Sequence, residues 1–553
     1  MTTYLMLLVA TLSVVLLSKP SFSIFVSIDC GSSSSYIDEN SIKWTGDDGY
    51  VHNGVSQVVD SYYAAGQVLS TLRVFSTLKK NCYTITNLNE GERVLVRASF
   101  FYGNYDGKNS PPTFDLLFDG NHWETMKLSN YTEDTIVYTE AVYDVIGNST
   151  TVCVAQTLPN QLPFISALEL RSLGSNMYRH GGSNTVLVLA NRAFQSQGAN
   201  QNIRHPDDPY DGIWIPYSAA PLEEVIKSGA ATIDVSTAED QPPQAVMRNA
   251  ITTTATGWNP RLDTRIPGES NIYITIYFSE VTWLNSTQKR SMQIYINNNP
   301  YLNHIIPPFG SVLEVYITNM TASTNTTFSV GAASDSTLLP LINAYEVYTV
   351  GDALPYGTNS KDVQGLVTLQ KAFELLQEWS GDPCLPSPYW WEWIECSTIA
   401  NAMPRVIALN LNGFGLSGSL PDFSSMDALQ TIDMENNSFH GPIPEFFGSF
   451  PNLKLLLTGN CLEGMSCPPP PPPLSPPPPP PPSSPPPPIK TQPPPSKTLS
   501  SINSIGIPPP PTHGTYQSQT PFISGNKKNI DQLSIILEAT IQIYLLYLLL
   551  SYF

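Results

Sequence analysis

Three stretches of this chain return, in the same order, about 177 residues further on. Val94-Leu-Val-Arg-Ala-Ser-Phe-Phe101 is echoed by Ile272-Tyr-Ile-Thr-Ile-Tyr-Phe-Ser279. Phe114-Asp-Leu-Leu-Phe118 is echoed by Met292-Gln-Ile-Tyr-Ile296, and Pro163-Phe-Ile-Ser-Ala-Leu-Glu-Leu170 by Pro340-Leu-Ile-Asn-Ala-Tyr-Glu-Val347. Apolar residues fall at every second position, as at Val94, Val96, Ala98 and Phe100. Side chains alternate faces along a strand, so this period predicts strands with one buried and one wet face. Shared order, offset and pattern predict two copies of one β-domain in tandem. Antiparallel sandwiches of this kind bind on loops and faces more often than they catalyse.

At 553 residues the chain has room for several cores. Its net charge is −19 with 27 Lys plus Arg, a surface that repels phosphate backbones, so nucleic-acid binding is not expected. The acidity is read as keeping the protein soluble. Met1 to about Leu17 is almost wholly apolar, and Ser21-Phe22-Ser23 puts small residues at the cleavage positions of a secretory leader. Six Asn-X-Ser/Thr sequons follow, at Asn130, Asn148, Asn285, Asn319, Asn325 and Asn436, and behind a leader they predict surface glycans.

The seven cysteines then face an oxidising compartment. Cys384 with Cys396, and Cys461 with Cys467, are close enough to close small loops. Cys30, Cys82 and Cys153 leave one thiol over, and spacing does not choose among them. The working expectation pairs Cys82 with Cys153 and leaves Cys30 buried and free. No CxxC pair with a nearby His supports a metal site, and no cofactor is expected.

From 24 to about 350 the composition is all-β: Tyr, Phe, Val, Ile and Thr broken by Gly, Asn and Pro. Asp362 to Trp379 changes period. Leu366, Leu369, Phe373 and Leu376 fall at helical spacing, with Asp362 as the expected N-cap. A Trp-rich stretch with Trp390, Trp391 and Trp393 reads first as the core of a cap and second as a sugar platform. A 23-residue period follows, Leu409/Leu411, Ile432/Met434, Leu455/Leu457, which is a leucine-rich repeat pattern. Residues 468 to 512 hold about half of the chain's 51 prolines and predict an extended polyproline rod, compositionally similar to the Ser-Pro repeats of plant extensins. Leu533 to Phe553 is apolar. Preceded by Ser524-Gly525-Asn526 and a polar spacer, it has the arrangement of a glycosylphosphatidylinositol signal, with a tail-end membrane helix or a truncated gene product as the alternatives.

Phe25-Val-Ser-Ile-Asp-Cys-Gly31, Asn81-Cys-Tyr-Thr-Ile85, Phe101-Tyr-Gly-Asn-Tyr-Asp-Gly107, His205-Pro-Asp-Asp-Pro-Tyr-Asp211, Gln288-Lys-Arg-Ser-Met292 and Gly381-Asp-Pro-Cys384 together resemble the ectodomain of plant malectin-like leucine-rich-repeat receptor-like kinases. The resemblance covers residues 24 to 467. It implies a mainly β protein: two tandem malectin-like β-sandwich modules, a short leucine-rich-repeat solenoid, then a disordered Pro-rich segment. The boundaries expected are 1–23 leader, 24–175 module 1, 176–352 module 2, 353–400 linker helix and Cys/Trp cap, 401–467 repeats, 468–524 Pro-rich linker and 525–553 anchor signal. Kinase elements (a Gly-rich loop, His-Arg-Asp, Asp-Phe-Gly) do not occur in the sequence, so no phosphorylation is expected. Gly212 departs from relatives that carry Arg after the Tyr-Asp pair.

Animal malectin binds a glucose disaccharide, and sugar recognition needs aromatic faces for C–H groups with carboxylates or amides for hydroxyls. The resemblance therefore points to Tyr62, Tyr63, Tyr102, Tyr105 and Asp106, and to Trp283 in an element where Thr282 replaces an expected aromatic. Packing is the commoner role for Tyr102 and Tyr105. Turn formation is the commoner role for Asp207, Asp208 and Asp211, with calcium as a minor alternative. The expected function is a noncatalytic cell-surface receptor or co-receptor. Its partners would be a cell-wall oligosaccharide, a di-glucose unit among them, or a receptor-kinase ectodomain, with the membrane reached through the C-terminal anchor. A wall-linked structural glycoprotein is the alternative, and a glycan hydrolase ranks below it.

Overall fold

Alternating apolar residues make Arg93–Phe101 a strand, and its neighbours make it a central one. A computed structural model describes residues 24–465, apart from 64, 183, 197–200, 355 and 398–401. The expected leader, Cys467, the Pro-rich segment and the apolar C-terminus lie outside the described residues. No helix among the described residues is long and apolar enough to cross a membrane.

Arg93–Phe101 pairs antiparallel with Ala167–Ser172 on one side and Ile136–Asp144 on the other. Ser270–Phe278 does the same with Ala344–Ala353 and Leu313–Ala322. The echoed strands Thr113–Phe118 and Met292–Ile296 likewise each lie between two antiparallel neighbours. The match extends to single hydrogen bonds. Ser166 Oγ accepts from the Phe101 N–H at 3.0 Å, and Asn343 Oδ1 accepts from the Ser279 N–H at 2.7 Å.

The two halves share one sheet. Ile136–Asp144 pairs with Thr185–Gln195 at only two positions, Ala141 with Val188 and Val142 with Leu187, which fuses the main sheets into one of 11 strands. One expectation is corrected here. The strand Arg93–Phe101 is buried on both faces. Leu95 packs with Leu173, Met177, Tyr178 and Tyr273, so the crossover between the halves covers the face that alternation left to water.

Past Ala353 the chain forms the helix Ser360–Ala372. Its N-cap is Asn359, whose side chain accepts from the Lys361 N–H at 3.1 Å. Asp362 is not the cap. It lies inside the first turn, fully buried, and binds Arg405 Nε at 2.8 Å. The helix stops at Ala372, and Leu376 reaches the core from a 3₁₀ turn at Glu374–Glu378. Trp391 and Trp393 are buried in that core.

The 23-residue period becomes a parallel ladder in which Leu409 lies beside Ile432 and Ile432 beside Leu455, a solenoid-like stack of short strands. Ile394–Cys396 covers its first edge in antiparallel sense and is tied back by the Cys384–Cys396 disulfide. Inside the turns, Asn437 Nδ2 donates to the carbonyls of Leu411 and Met434 while its Oδ1 accepts from the Leu416 N–H. Asn460, one repeat later, donates to Met434 and Leu457. Both are buried and replace the backbone partners that a tight turn lacks.

Gly381 joins this arm to the first half. Its φ is +74°, and a Cβ there would sit 2.5 Å from Cys82 Sγ of the Cys82–Cys153 disulfide. Lys80 Nζ donates to the carbonyls of Asp382 (2.5 Å) and Leu385 (2.7 Å), and burial pulls its ammonium down to about 8. Tyr389 OH donates to Asp115 Oδ2 at 2.7 Å. Gly381→Ala meets both a left-handed backbone and a sulfur, and is expected to cost about 3 kcal/mol in chemical denaturation. Gly91→Ala, at φ +76° with open space around it, should cost only about 1 kcal/mol.

Candidate functional site

Charges interrupt the apolar strands at Arg97, Glu140, Glu169, Arg171, Arg192 and Glu346, and all six are buried. Arg97 Nε lies 2.8 Å from Glu140 Oε1, whose other oxygen lies 2.7 Å from Arg192 Nη1. Arg192 Nε then reaches Glu346 at 2.6 Å, so the ion chain crosses from one half to the other. Tyr178 and Tyr277 donate their hydroxyls to Glu346. Glu169 and Glu346 hold equivalent places in the two copies. Burial would raise the Glu140 carboxyl, but Arg192 and Arg97 hold it below its ordinary range, so it stays charged and is a poor proton donor.

The loop from Arg204 to Asp211 closes over this chain of charges. Asp211 Oδ2 lies 2.7 Å from Arg171 Nη2, 2.8 Å from Arg204 Nη2 and 3.5 Å from Arg97 Nη1. Burial works to raise its carboxyl, yet the Arg204 hydrogen bond and the three guanidinium charges hold it well below the carboxylate range. Asp208 does form its turn, accepting from the Tyr210 N–H, and it also accepts from Trp214 Nε1, each at 2.8 Å. The calcium alternative fails physically, because a cation beside Asp211 would face three guanidinium groups. At Gly212 a Cβ would lie 3.2 Å from Arg192 Cζ, so Arg192 fills the space that a side chain at 212 would need.

Above the two shared residue pairs, the strands Ile136–Asp144 and Thr185–Gln195 each follow their own half, and they splay. The opening is a cleft of about 280 Å³ floored by the Glu140–Arg192 pair and Asn191. Asn191 Nδ2 donates to the Asp263 carbonyl at 2.6 Å. Its Oδ1 is buried with no hydrogen-bond partner among the described residues. On the rim stand Tyr131 (49 % exposed) and Ile136 (47 %), with Tyr138 half-buried below them and Arg265 opposite. Aromatic and aliphatic faces beside an amide and a guanidinium suit a ligand that carries hydroxyl groups.

The residues singled out from sequence lie elsewhere. Tyr62, Tyr63 and the Tyr102–Asp106 loop are brought together, since the Asp60 N–H donates to the Gly103 carbonyl at 3.1 Å. Tyr102 is only 3 % exposed, donates its hydroxyl to Asp106 Oδ1 at 2.5 Å and packs on Phe164. Tyr105 also packs on Phe164, and Asp106 pairs with Lys108 at 3.0 Å. The hollow beside Tyr105 and Asp106 is about 80 Å³, against about 280 Å³ for the cleft. Tyr62 is 85 % exposed and stands against Tyr63. Trp283 belongs to the other half, beyond the strand Ser270–Phe278, and its ring meets Phe309. The cleft residues Asn191, Arg192 and Glu140 were missed, although polar residues within otherwise apolar strands were the available signal.

Two matched halves sharing one sheet, followed by a solenoid-like arm, define a mainly β fold. The profile of the malectin-like domain matches residues 28–350, and the chain belongs to that family. It is 35 % identical to the Arabidopsis thaliana protein At1g24485 over 364 residues, covering 64 % of this chain and 70 % of that one. It is 34 % identical over 415 residues to the probable leucine-rich-repeat receptor-like serine/threonine-protein kinase At1g05700 of the same plant, covering 73 % of this chain and 48 % of the kinase. The chain thus spans about half the length of that kinase relative. Among solved structures, the extracellular domain of Arabidopsis ANXUR1 superposes with a TM-score of 0.51 at 14 % identity, covering 60 % of this chain and 97 % of its own. The Arabidopsis ANX2 ectodomain gives 0.50 at 14 % identity, with coverages of 60 % and 100 %. At such identity the likeness concerns the fold.

Proposed function

We propose that this chain is a noncatalytic, receptor-like protein of the cell surface, and that the cleft between its halves takes a cell-wall oligosaccharide. The observation that carries this reading is the cleft between the halves, in which the Asn191 amide is lined up with Tyr131, Ile136 and Tyr138. In this reading residues 24–175 and 176–352 are tandem malectin-like modules and 401–467 are leucine-rich repeats. The Pro-rich segment holds them off a membrane reached through residues 525–553. Exposure of all six sequon asparagines supports passage through the secretory pathway. Glu140, the one carboxylate lining the cleft among the described residues, is locked in ion pairs, which supports binding over hydrolysis.

A second reading, a partner ectodomain, has its own observation. A cavity of about 620 Å³ lies between the first half and the helix Ser360–Ala372, and its walls carry exposed Ile146 and Val367 beside Trp379. The two readings separate by titration and pull-down with the secreted protein. Tyr131→Ala with Ile136→Asp should weaken oligosaccharide binding about 10-fold or more and leave ectodomain capture intact. Val367→Asp should do the reverse. Absence of saturable binding to a panel of cell-wall oligosaccharides, or binding indifferent to the rim variants, sinks the cleft assignment.

A further inference from the structure

Trp283 is 78 % exposed, and its one ring contact among the described residues is an edge of Phe309, at 5.4 Å and 90°. Leaving so large an apolar side chain in water forgoes about 2 kcal/mol or more of burial. The turn that carries it is nevertheless firmly built. Glu280 Oε1 accepts from the N–H groups of Val281 and Thr282, and Glu280 is itself paired with Arg290 at 2.7 Å. A rigid turn thus holds a tryptophan outward over nothing.

Two residues on stands the sequon asparagine Asn285. Trp283 and Asn285 are both exposed, and only the half-buried Leu284 separates them, so their Cα atoms are at most about 7 Å apart. Asn285 Oδ1 is fixed by the N–H and hydroxyl of Thr287, at 2.9 and 2.7 Å. Its Nδ2, the atom a glycan is attached to, makes no hydrogen bond among the described residues. The residues two before the other five sequon asparagines are Leu128, Ile146, Ile317, Ser323 and Met434, none of them aromatic.

We infer that Trp283 is the platform for this chain's own sugar: the first N-acetylglucosamine of a glycan on Asn285 lies with its C–H face on the indole ring. The inference rests on the secretory reading above. It reassigns Trp283 from a contact for an outside ligand to a cover for attached carbohydrate. A pyranose face on indole removes apolar area from water and gains the attraction between C–H groups and the ring. The aromatic surface and the sugar are then each other's partner, and the exposed turn gains stability once glycosylated.

The test is a double-mutant cycle on the full-length protein secreted from plant cells, with site occupancy read by glycopeptide mass spectrometry. Wild type should melt about 2 °C above Asn285→Gln, and Trp283→Ala should remove that gain. In the Asn285→Gln background Trp283→Ala should change nothing, and Trp283→Phe should keep most of the gain. If Asn285 is bare while other sequons are occupied, the platform inference fails alone; if all six are bare, the secretory reading fails with it. Equal effects of Trp283→Ala in both backgrounds overturn the inference. So does loss of oligosaccharide binding by Trp283→Ala after enzymatic deglycosylation, because Trp283 would then serve an outside ligand.

Discussion

Asp211→Ala is expected to lower the folding stability by about 5 kcal/mol, and to be read as a steep loss of secreted, soluble protein and of its thermal midpoint. Removing one member of a buried ion pair costs about 3–5 kcal/mol, because the other is left charged in a medium that solvates it poorly. Asp211 serves Arg97, Arg171 and Arg204 together, so the upper end of that range applies. Asp211→Asn keeps the shape but not the charge, and should lose nearly as much. Adding Arg204→Met to Asp211→Asn removes one stranded cation and should recover part of the loss. Because the Asp211 carboxyl is held far below its ordinary value when folded, its contribution is complete above about pH 4 and fades as the solution is acidified. If Asp211→Asn melts within 1 °C or so of wild type at neutral pH, the ion chain is not what joins the halves.

The second large effect has the opposite sign. Asp240 and Glu314 lie against one another where the crossover from the first half meets the second. Asp240 accepts from the Tyr178 N–H, from Tyr273 OH at 2.8 Å and from Thr275 Oγ1 at 3.3 Å. Glu314 Oε2 accepts from the Glu239 N–H at 2.6 Å, and Asp240 and the Tyr316 hydroxyl lie against the Glu314 carboxyl. Glu346 and Arg93 contribute further charge from the sheet, and His180 with Glu239 closes the outside at 3.0 Å.

Burial pushes Asp240 up to about 6, with Glu346 adding to the rise. Burial and then the Asp240 charge push Glu314 up to about 8. Both folded values stand above the ordinary 3.8 and 4.5, so the pair's contribution is complete below about pH 4 and is lost as pH rises from there, through 6 for Asp240 and through 8 for Glu314. Burial likewise pushes Asp29, Asp119 and Asp208 up to about 6. The melting temperature should therefore fall by several degrees between pH 5.5 and pH 8.5. Glu314→Gln keeps the acceptor for Glu239 and deletes the titration, so its profile should be flatter over the upper part of that window. A wild-type profile that is level or rising there contradicts the assignment.

The recurrence near Val94 and Ile272 announced the sheet strands, and the 23-residue leucine spacing set the ladder register through Leu409, Ile432 and Leu455. Both are local periodicities, and local periodicity survives into structure when it matches the pleat or the solenoid turn. Tertiary cover was not legible. Alternation assigned Leu95 and Arg97 to water, and only the crossover and the Arg204–Asp211 loop, distant in sequence, enclose them. Asp362 has the residue type and the place of a cap, and nothing local in the sequence shows that Arg405 returns to pair with it. The aromatic residues picked as sugar contacts were found by type; Tyr102 spends its hydroxyl on Asp106 and its ring on Phe164. The cleft depends on the angle at which two strands part company after two residue pairs, a quantity that no motif encodes.

Those two residue pairs carry a consequence for how such a molecule came to exist. A free sheet margin invites pairing with any passing chain. Here the first strand of the second copy pairs with the outermost strand of the first at Ala141 and Val142, so part of that border has a tethered mate. After that joining, losing either copy would reopen the border in the survivor. Each copy thus guards the other's border, and the doubled form is harder to shorten than to keep.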